Sequence, residues 1–245
     1  MPDELTTPKF IIDKLLPTNR IHLLAGISSA GKSRFSIPAF ITWHAGLPVL
    51  GLRSYPVPWC IVCSDRPLAD VHDTVESMGF PLEEAPVIAA FGKHNKPFWK
   101  VMELIEDGGY KFVLWEGFDM LVRNPNNPNE VKDLLSTMSS YCEEGLTILG
   151  TVGVAKLKPG EVYPNPRQLV SGSTIWERAT SSDLIVMATN PGDIEDGGRI
   201  LHACLKNSPS FSVYGKFDEQ GRLTFDDYSN RVMTARSNKK GRFEL

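Results

Sequence analysis

The sequence predicts an α/β fold in which a mostly parallel β-sheet is flanked by helices. Short runs rich in Ile, Val and Leu alternate with segments whose apolar residues recur at helical spacing. This alternation is typical of βαβ units, and uninterrupted apolar runs suit strands that are buried on both faces. A glycine-rich segment, 26–33, lies between a predicted strand and a predicted helix. With a length of 245 residues, these features indicate one domain over residues 1–230.

The predicted elements follow one another in a regular order. Apolar runs predict strands at 21–25, 59–64, 111–116, 146–153, 183–188, 200–206 and 211–217. Helical patterns lie between them at 33–45, 67–78, 97–107 and 129–143. The last three strands have no long helix between them, so we expect them to extend the sheet edge in antiparallel order. The turn residues Gly192, Gly197 and Gly198, and the segment 218–221, fit the two connections.

Three segments are predicted to be irregular. Residues 122–129 hold Asn and Pro at their centre, which favours neither a helix nor a strand. This segment and residues 157–172 both follow the carboxyl ends of predicted strands, where open α/β sheets bind ligands. The final segment, 231–245, carries five basic residues and one acid. That composition fits either a solvated terminus or a tail that contacts phosphates or a partner.

The bulk composition argues against several classes of protein. The formal net charge is −3, so the chain has no overall positive field for nucleic acid. No apolar run approaches the ~20 residues of a membrane span, and the amino terminus lacks the apolar stretch of a signal peptide. We therefore expect a cytoplasmic protein that has no membrane partner.

The four cysteines predict neither a disulfide framework nor a metal site. Cys60 and Cys63 have the spacing of half a metal site, but they lie in an apolar strand. Positions three apart in a strand point to opposite faces, so these two thiols cannot hold one ion. Because no second Cys/His pair completes four ligands, we expect small buried thiols in a reduced compartment.

Residues 26–33 match the phosphate-binding pattern G-x-x-x-x-G-K-S, between a strand and the start of a helix. Gly26 and Gly31 supply backbone conformations that side chains block. Lys32 reaches the β- and γ-phosphates, and the Ser33 hydroxyl binds Mg²⁺. The pattern therefore predicts ATP and Mg²⁺ as ligands. The predicted nucleotide-binding residues are Gly26, Ile27, Ser28, Ser29, Ala30, Gly31, Lys32, Ser33 and Arg34.

Two acids lie where an ATP-hydrolysing site requires carboxylates, near the metal and near the attacking water. Glu116 and Asp65 each follow a short apolar run, which places them at the carboxyl ends of strands beside the phosphate loop. The alternative is that each acid caps the next helix, since Asp65-Arg66-Pro67 has the form of an N-cap followed by proline. Asp119 is a reserve acid whose position fits a cap or a solvent-facing site better.

The order of these motifs resembles the RecA-type ATPase core, and more specifically the compact RepA-like group of hexameric helicases. A phosphate loop is followed by an acid after the second strand, an acid after the third, and then a strand with a basic loop. Other stretches that resemble that group are 16–20, 39–51, 171–173, 182–186 and 205–207. The resemblance covers roughly residues 10 to 225 and implies a RecA-like core.

The resemblance also implies roles for individual residues. Asp65 matches the position of the family's catalytic Glu and would position the attacking water. Glu116 matches the metal-side Asp and would orient the water shell of Mg²⁺, so the two side-chain lengths are exchanged. Lys206 matches a residue that reaches the ATP site of a neighbouring subunit. The resemblance therefore implies the catalytic set Lys32, Asp65, Glu116 and Lys206, with Ser33 and Glu116 at the metal.

This chain departs from the family pattern at two places. After the fourth strand, residues 151–154 contain no His to sense the γ-phosphate, although Lys156 stands where a basic residue follows that sensor. Beyond Lys206, the position of the family's Arg holds Ser208. Lys206 or Arg178 must then supply the cation that stabilises the transition-state charge.

The resemblance places DNA against the loops 122–129 and 157–171. The second loop combines cations with Tyr163, which suits a single-stranded backbone and a stacked base. Its prolines and glycines fit a plain mobile loop equally well. The predicted nucleic-acid-binding residues are Lys156, Lys158 and Arg167.

The expected function is that of an ATP-driven DNA helicase that forms a homo-oligomeric ring, a hexamer, with ATP between subunits and single-stranded DNA as partner. The alternative is a RecA paralogue of the phage type, which anneals or recombines single strands without unwinding a duplex. A small-molecule kinase is a third interpretation. It predicts paired lid arginines, for which only Arg167 and Arg178 are available, and an acceptor domain that is not evident.

Overall fold

The computed structural model describes residues 9–27, 29–81, 86–89, 97–154, 170, 175–189, 197–206 and 208–230, with backbone alone at 177 and 178. Within these ranges the strands are β1 (Phe10–Ile12), β2 (Leu16–Pro17), β3 (Ile21–Gly26), β4 (Trp59–Cys63), β5 (Val87–Ala89), β6 (Phe112–Glu116), β7 (Thr147–Val152), β8 (Ser182–Ala188), β9 (Gly198–Leu205), β10 (Phe211–Phe217) and β11 (Leu223–Phe225). The helices are α1 (Lys32–His44), α2 (Leu68–Ser77), α3 (Phe98–Asp107), α4 (Pro128–Glu143) and α5 (Ile175–Ala179), with 3-10 turns at Phe118–Leu121 and Tyr228–Asn230.

Nine of these strands form one mixed sheet in the order β11-β10-β9-β8-β3-β7-β6-β4-β5. The six strands from β8 to β5 in that order pair in parallel, and β9, β10 and β11 pair in antiparallel fashion at one edge. The predicted mostly parallel sheet with an antiparallel carboxyl-terminal edge is therefore confirmed. Because β3 lies between β7 and β8, the chain passes from one side of β3 to the other after β7. Such a change of direction opens a crevice at the carboxyl ends of the strands.

Alternate residues of the central strands pack on opposite faces of the sheet. On one face, Leu24, Ile61 and Leu114 pack in a cluster that includes the buried side chains of α1. On the other face, Leu23, Val62 and Trp115 pack in a cluster that includes those of α3 and α4. Because both faces of the central strands are covered by helices, these strands are mostly apolar and are buried at nearly every position.

Each predicted strand and helix is present, with bounds within two residues of the expected ones. The prediction did not include β1, β2, β5, β11 or α5, which have two to five residues each. Elements this short carry too few residues to show a period, so hydrophobic patterning does not reveal them. None of the described helices is both long and apolar enough to cross a membrane.

The predicted irregular segment 122–129 is wrong at its carboxyl end, because α4 already begins at Pro128. The side chain of Asn127 accepts a hydrogen bond from the backbone N–H of Asn129 and caps the helix, and Pro128 occupies the first turn, where its missing N–H costs nothing. Glu130 then accepts hydrogen bonds from the backbone N–H groups of Arg123 and Asn124. The same residues that interrupt the sheet therefore start the next helix.

His22, on β3, is fully buried, and its Nε2–H donates to the carbonyl of Pro17 at 2.8 Å. Burial lowers the pKa of His22 to about 4. The unfolded chain therefore binds a proton between pH of about 6.5 and about 4 that the folded chain does not bind, and the folded state loses stability as the pH falls through that window.

We predict that, because of His22 alone, the unfolding free energy falls by about 2 kcal/mol when the pH is lowered from 7 to 5. His22→Gln keeps a donor for the Pro17 carbonyl but cannot be protonated, so its stability should depend less on pH by that amount. Urea unfolding followed by tryptophan fluorescence at the two pH values measures the difference. His44→Gln, at an exposed position, is the control. An equal pH dependence in wild type and His22→Gln would contradict the prediction.

Candidate active site

The predicted phosphate-binding segment, 26–33, connects β3 to α1 at the carboxyl edge of the sheet. Gly31 precedes α1 with a φ of 95°, a left-handed conformation that favours glycine, and no side-chain hydrogen bond from the described residues caps the helix. The first N–H groups of α1 are therefore available to an anion. A Cβ on Gly26 would lie 2.9 Å from the carbonyl oxygen of Val186, so this position also requires glycine.

Lys32 and Ser33 begin α1 and line the cleft beside the loop. The Nζ of Lys32 donates to the carbonyl oxygens of Gly26 at 2.8 Å and Ile27 at 3.1 Å, which holds the ammonium group against the loop. Burial lowers the pKa of Lys32 below its usual range, and the carboxylates of three acids oppose that shift. These acids are Asp119, Asp65 and Glu116. The structure thus brings the predicted lysine and both predicted acids into one electrostatic group.

Glu116 and Asp65 come together because β4 and β6 are neighbours, with Cys63 and Glu116 in register. The backbone N–H of Ser64 donates to the carbonyl of Glu116 at 2.8 Å and extends this pairing beyond the strand. The Glu116 side chain is 1% exposed, whereas Asp65 is exposed. Asp65 caps no helix, since the N-cap of α2 is Pro67. The helix-cap alternative for Asp65 is thereby excluded, and the carboxylate is accessible from the cleft.

Cys63 is a member of the site that sequence reasoning assigned to the core. Its Sγ lies 3.3 Å from Oδ1 of Asp65, and the ligand atoms of Cys63, Asp65 and Glu116 all lie within 4.8 Å of one another. Burial raises the pKa of this thiol to about 12, so the neutral S–H donates to the carboxylate. Cys60 belongs to the core face packed by α3 and α4, as expected for a thiol that cannot share an ion with Cys63.

Arg66 is the second residue that the sequence did not assign to the site. Its Nη2 lies 2.5 Å from Oε2 of Glu116, and its Nη1 donates to Oγ1 of Thr74 at 2.8 Å. Burial alone would lower the pKa of Arg66, but the charge and hydrogen bond of Glu116 outweigh burial and raise it. The only available signal was its position directly after a strand-end acid.

Asp119 also belongs to the site, although its sequence position suggested a helix cap or solvent. Its Oδ2 accepts a hydrogen bond from the backbone N–H of Gly153 at 2.9 Å, beyond the end of β7. The N–H of Gly117 donates to Oγ1 of Thr151 at 2.9 Å and fixes the same turn. Thr151 therefore fixes the turn that follows Glu116. It lies in the stretch 151–154, where the resemblance led us to expect a histidine.

The carboxyl-terminal antiparallel strands brace the phosphate loop from the other side. A Cβ on Gly31 would lie 2.9 Å from the ring of Phe217, and Nη1 of Arg34 donates to the carbonyl of Gly221 at 3.0 Å. Arg199 is 2% exposed, donates from Nε to the carbonyl of Ala30 at 3.2 Å and lies over the Phe217 ring at 4.9 Å. The spacing of these residues along the chain gave no signal for such contacts.

These groups surround a cleft of about 690 Å³, a size typical of small-ligand and cofactor sites. The cleft is lined by Ser29, Gly31, Lys32, Ser33, Arg34, Asp65, Arg66, Thr74, Thr151, Phe217 and Gly221. Oε1 of Glu116 is buried and has no hydrogen-bond partner among the described residues. A buried carboxylate oxygen without a described partner fits a magnesium site in which water molecules link the protein to the ion.

Other predicted residues lie elsewhere. Lys206 follows β9, whose end pairs with Ser182, and Ser182 pairs with His22 near the start of β3. Lys206 therefore lies near the amino-terminal end of β3, whereas the phosphate loop of the same chain follows the carboxyl end of that strand. A role of Lys206 in a neighbouring subunit stays a prediction. Ser28, the side chain of Arg178 and the segment 231–245 lie outside the described residues, as do the predicted nucleic-acid-binding residues Lys156, Lys158 and Arg167.

Compared with models of known protein families and with curated protein sequences, the chain matches none of them. The fold and the geometry of the site therefore carry the functional interpretation.

We predict that Gly117→Ala destabilises the protein more than Gly109→Ala. Both glycines have a positive φ, 68° and 64°, so alanine costs roughly 1–2 kcal/mol at either position. A Cβ at Gly117 would also lie 2.7 Å from Cβ of Asp65, whereas Gly109 has no described atom within 4 Å of such a Cβ. That overlap adds about 1–3 kcal/mol at Gly117.

Urea unfolding of the two variants measures this difference. Equal losses of unfolding free energy would show that the turn after β6 does not press on Asp65.

Proposed function

We propose that this protein is a magnesium-dependent ATPase of the RecA type that acts as a motor on single-stranded DNA. The observation that supports the ATPase is that the phosphate loop, Asp65 and Arg66 line one cleft at the carboxyl edge of the sheet, and that Arg66 is paired there with the buried Glu116. The helicase activity rests on the resemblance of the sequence to RepA-like hexameric helicases.

In the proposed site, the N–H groups of the loop and the first turn of α1 hold the phosphates. Lys32 exchanges its bonds to the Gly26 and Ile27 carbonyls for the β- and γ-phosphates. Ser33 and Glu116 would hold Mg²⁺, and the ion would neutralise phosphate charge as ATP reacts. Both carbonyl partners of Lys32 belong to the loop itself, so the ammonium group already lies against the loop.

Asp65 is the proposed residue for orienting the attacking water, because it is the exposed acid of the group. The water oxygen would bond to the γ-phosphorus while the bond from that phosphorus to the β–γ bridging oxygen breaks. ADP and inorganic phosphate are then the products, and Asp65 takes up the proton from water before it passes to phosphate. The buried Glu116 has no room for this role, since Arg66 covers one of its oxygens.

The proposed assembly is a ring, a hexamer, in which each ATP site lies between subunits. The resemblance assigns to Lys206 of a neighbouring subunit, or to Arg178, a cation that approaches the γ-phosphate. The proposed DNA contacts are Lys156, Lys158 and Arg167, which follow β7 in the sequence. Loss of the γ-phosphate would then be transmitted to that segment through Thr151 and the end of β7.

The annealing or recombination ATPase remains the second candidate, and one observation favours it. Thr151 uses its hydroxyl to hold Gly117, so the end of β7 offers a structural contact instead of a phosphate-sensing histidine. An ATPase without that sensor suits slow turnover and use of ATP as a conformational switch. Unwinding of a forked duplex distinguishes the two functions, since a helicase unwinds it in the presence of ATP and an annealing protein does not.

We predict steady-state ATP hydrolysis that single-stranded DNA stimulates, together with a rise in molecular mass when Mg·ATP is present. Lys32→Ala should lower the rate on the order of 100-fold or more, because it removes a cation that stabilises the charge on the transferred phosphate. Lys132→Ala, at an exposed position of α4, is the matched control and should hydrolyse ATP like the wild type.

A monomeric protein whose hydrolysis is indifferent to DNA would overturn both candidate functions. Activity that survives Lys32→Ala would identify a contaminating enzyme, and the proposal would then have no catalytic support.

A further inference from the structure

Arg66 is held at two points in the cleft. Nη2 is paired with Oε2 of Glu116, and Nη1 donates to Oγ1 of Thr74. Thr74 is itself fixed, because its hydroxyl donates to the carbonyl of Asp70 at 2.6 Å, one turn earlier in α2. The guanidinium plane is therefore set by a buried strand end on one side and by a helix on the other.

Two features leave this guanidinium available to a ligand. An arginine has five N–H donors, and the described contacts use one on each terminal nitrogen, so further donors remain. The side chain is 22% exposed and lines the same cleft as Lys32, Ser33 and Asp65. Planar, charged donors in a fixed position are suited to phosphate oxygens.

The charge of the cleft also calls for a cation at this place. Glu116, Asp65 and Asp119 surround Lys32, and a nucleoside triphosphate would add further negative charge to the group. Arg34, the other arginine of the lining, is bonded to Gly221 on the side of the carboxyl-terminal strands. Arg66 therefore supplies positive charge on the side where the acids gather. In the sequence, the position of the expected trans-acting Arg holds Ser208.

We propose that Arg66 contacts the γ-phosphate of ATP within its own subunit and stabilises the charge that develops there during hydrolysis. This inference rests on the proposed ATPase function. Arg66 is then a catalytic residue, and Thr74 and Oε2 of Glu116 position it. The two carboxylate oxygens of Glu116 then have different roles. Oε2 holds the arginine, and Oε1, which has no described partner, is left for the metal side of the site.

A cation in the same subunit changes what assembly contributes. With Arg66 in place, the transition-state charge is met without Lys206 of a neighbour, whose position is at the far edge of the sheet in its own chain. The requirement for a ring then concerns movement on DNA and not the chemistry of hydrolysis. Removal of Arg66 should reduce hydrolysis far more than removal of Lys206.

The test compares binding of the non-hydrolysable triphosphate AMP-PNP with binding of ADP, both with Mg²⁺, by isothermal titration calorimetry. Arg66→Ala should weaken AMP-PNP binding on the order of tenfold and leave the affinity for ADP within twofold, because only the triphosphate reaches the arginine. The kcat for ATP should fall on the order of a thousandfold in Arg66→Ala. Arg53→Ala, outside the cleft, is the control for loss of an exposed arginine and should stay within threefold of the wild type in both measurements.

Two further variants keep the test decisive, because Arg66→Ala leaves Glu116 buried without its partner and can lose the fold. Arg66→Lys keeps the charge but cannot reach both Thr74 and Glu116, and Thr74→Val removes one anchor without exposing a buried charge. Both should weaken AMP-PNP binding several-fold relative to ADP. If both retain the wild-type ratio of the two affinities, the inference is overturned.

The outcomes separate this inference from the function on which it rests. If the wild type binds neither nucleotide more tightly than Lys32→Ala does, the ATPase proposal itself fails. A second outcome is that the wild type prefers AMP-PNP and that this preference depends on Lys32, while Lys206→Ala removes hydrolysis and the Arg66 and Thr74 variants do not. The ATPase proposal then stands. In that case the cation comes from the neighbouring subunit, and the role of Arg66 is structural.

Discussion

Glu116 places a carboxylate at the end of a strand that is covered on both faces, and the rest of the site is arranged around that charge. An unpaired buried carboxylate would be strongly destabilising, so the chain must provide cations and donors close to it. Arg66 provides the direct partner, and Lys32 contributes to the same electrostatic group. Asp119 and Asp65 then add negative charge that opposes the lowering of the Lys32 pKa by burial. A cleft with this balance is suited to a ligand that carries both phosphate charge and a divalent ion.

The phosphate loop depends on residues far away in the sequence. Arg199 holds the carbonyl of Ala30, and Phe217 packs against Gly31 so closely that no side chain fits there. These contacts come from β9 and β10, which fold as an antiparallel extension beside β8. The last strands of the sheet therefore pack against the loop at Ala30 and at its left-handed residue, Gly31. The proposed nucleotide binding would therefore depend on completion of the sheet.

The sequence predicts most of the architecture and about half of the site. Apolar runs locate the central strands, and parallel strands share a carboxyl edge, so the sequence alone is enough to place Lys32, Glu116 and Asp65 together. Arg66 and Asp119 could not be assigned in this way. Asp119 lies at the site because the chain turns at Gly117, whose φ is 68°. Arg66 reaches Glu116, 50 positions later in the sequence, because β4 and β6 are adjacent strands. Neither the geometry of a turn nor the direction of a side chain beyond a strand end produces a periodic hydrophobic pattern, so the sequence does not reveal them.

Relative to the family pattern that the sequence resembles, the two acids have exchanged lengths, and the structure accommodates both. Asp65 lies two residues beyond β4, where its Cβ packs against Gly117 and its carboxylate accepts the Cys63 thiol. A longer acid in this place would have to leave the thiol or press on the turn after β6. Glu116 is the last residue of β6, and its longer side chain brings one oxygen to Arg66 while the other stays free of described partners. The extra methylene at Glu116 and the missing one at Asp65 are thus matched to the backbone on which each acid stands. The separation of the two carboxylates is set by the β4–β6 pairing and not by side-chain length alone.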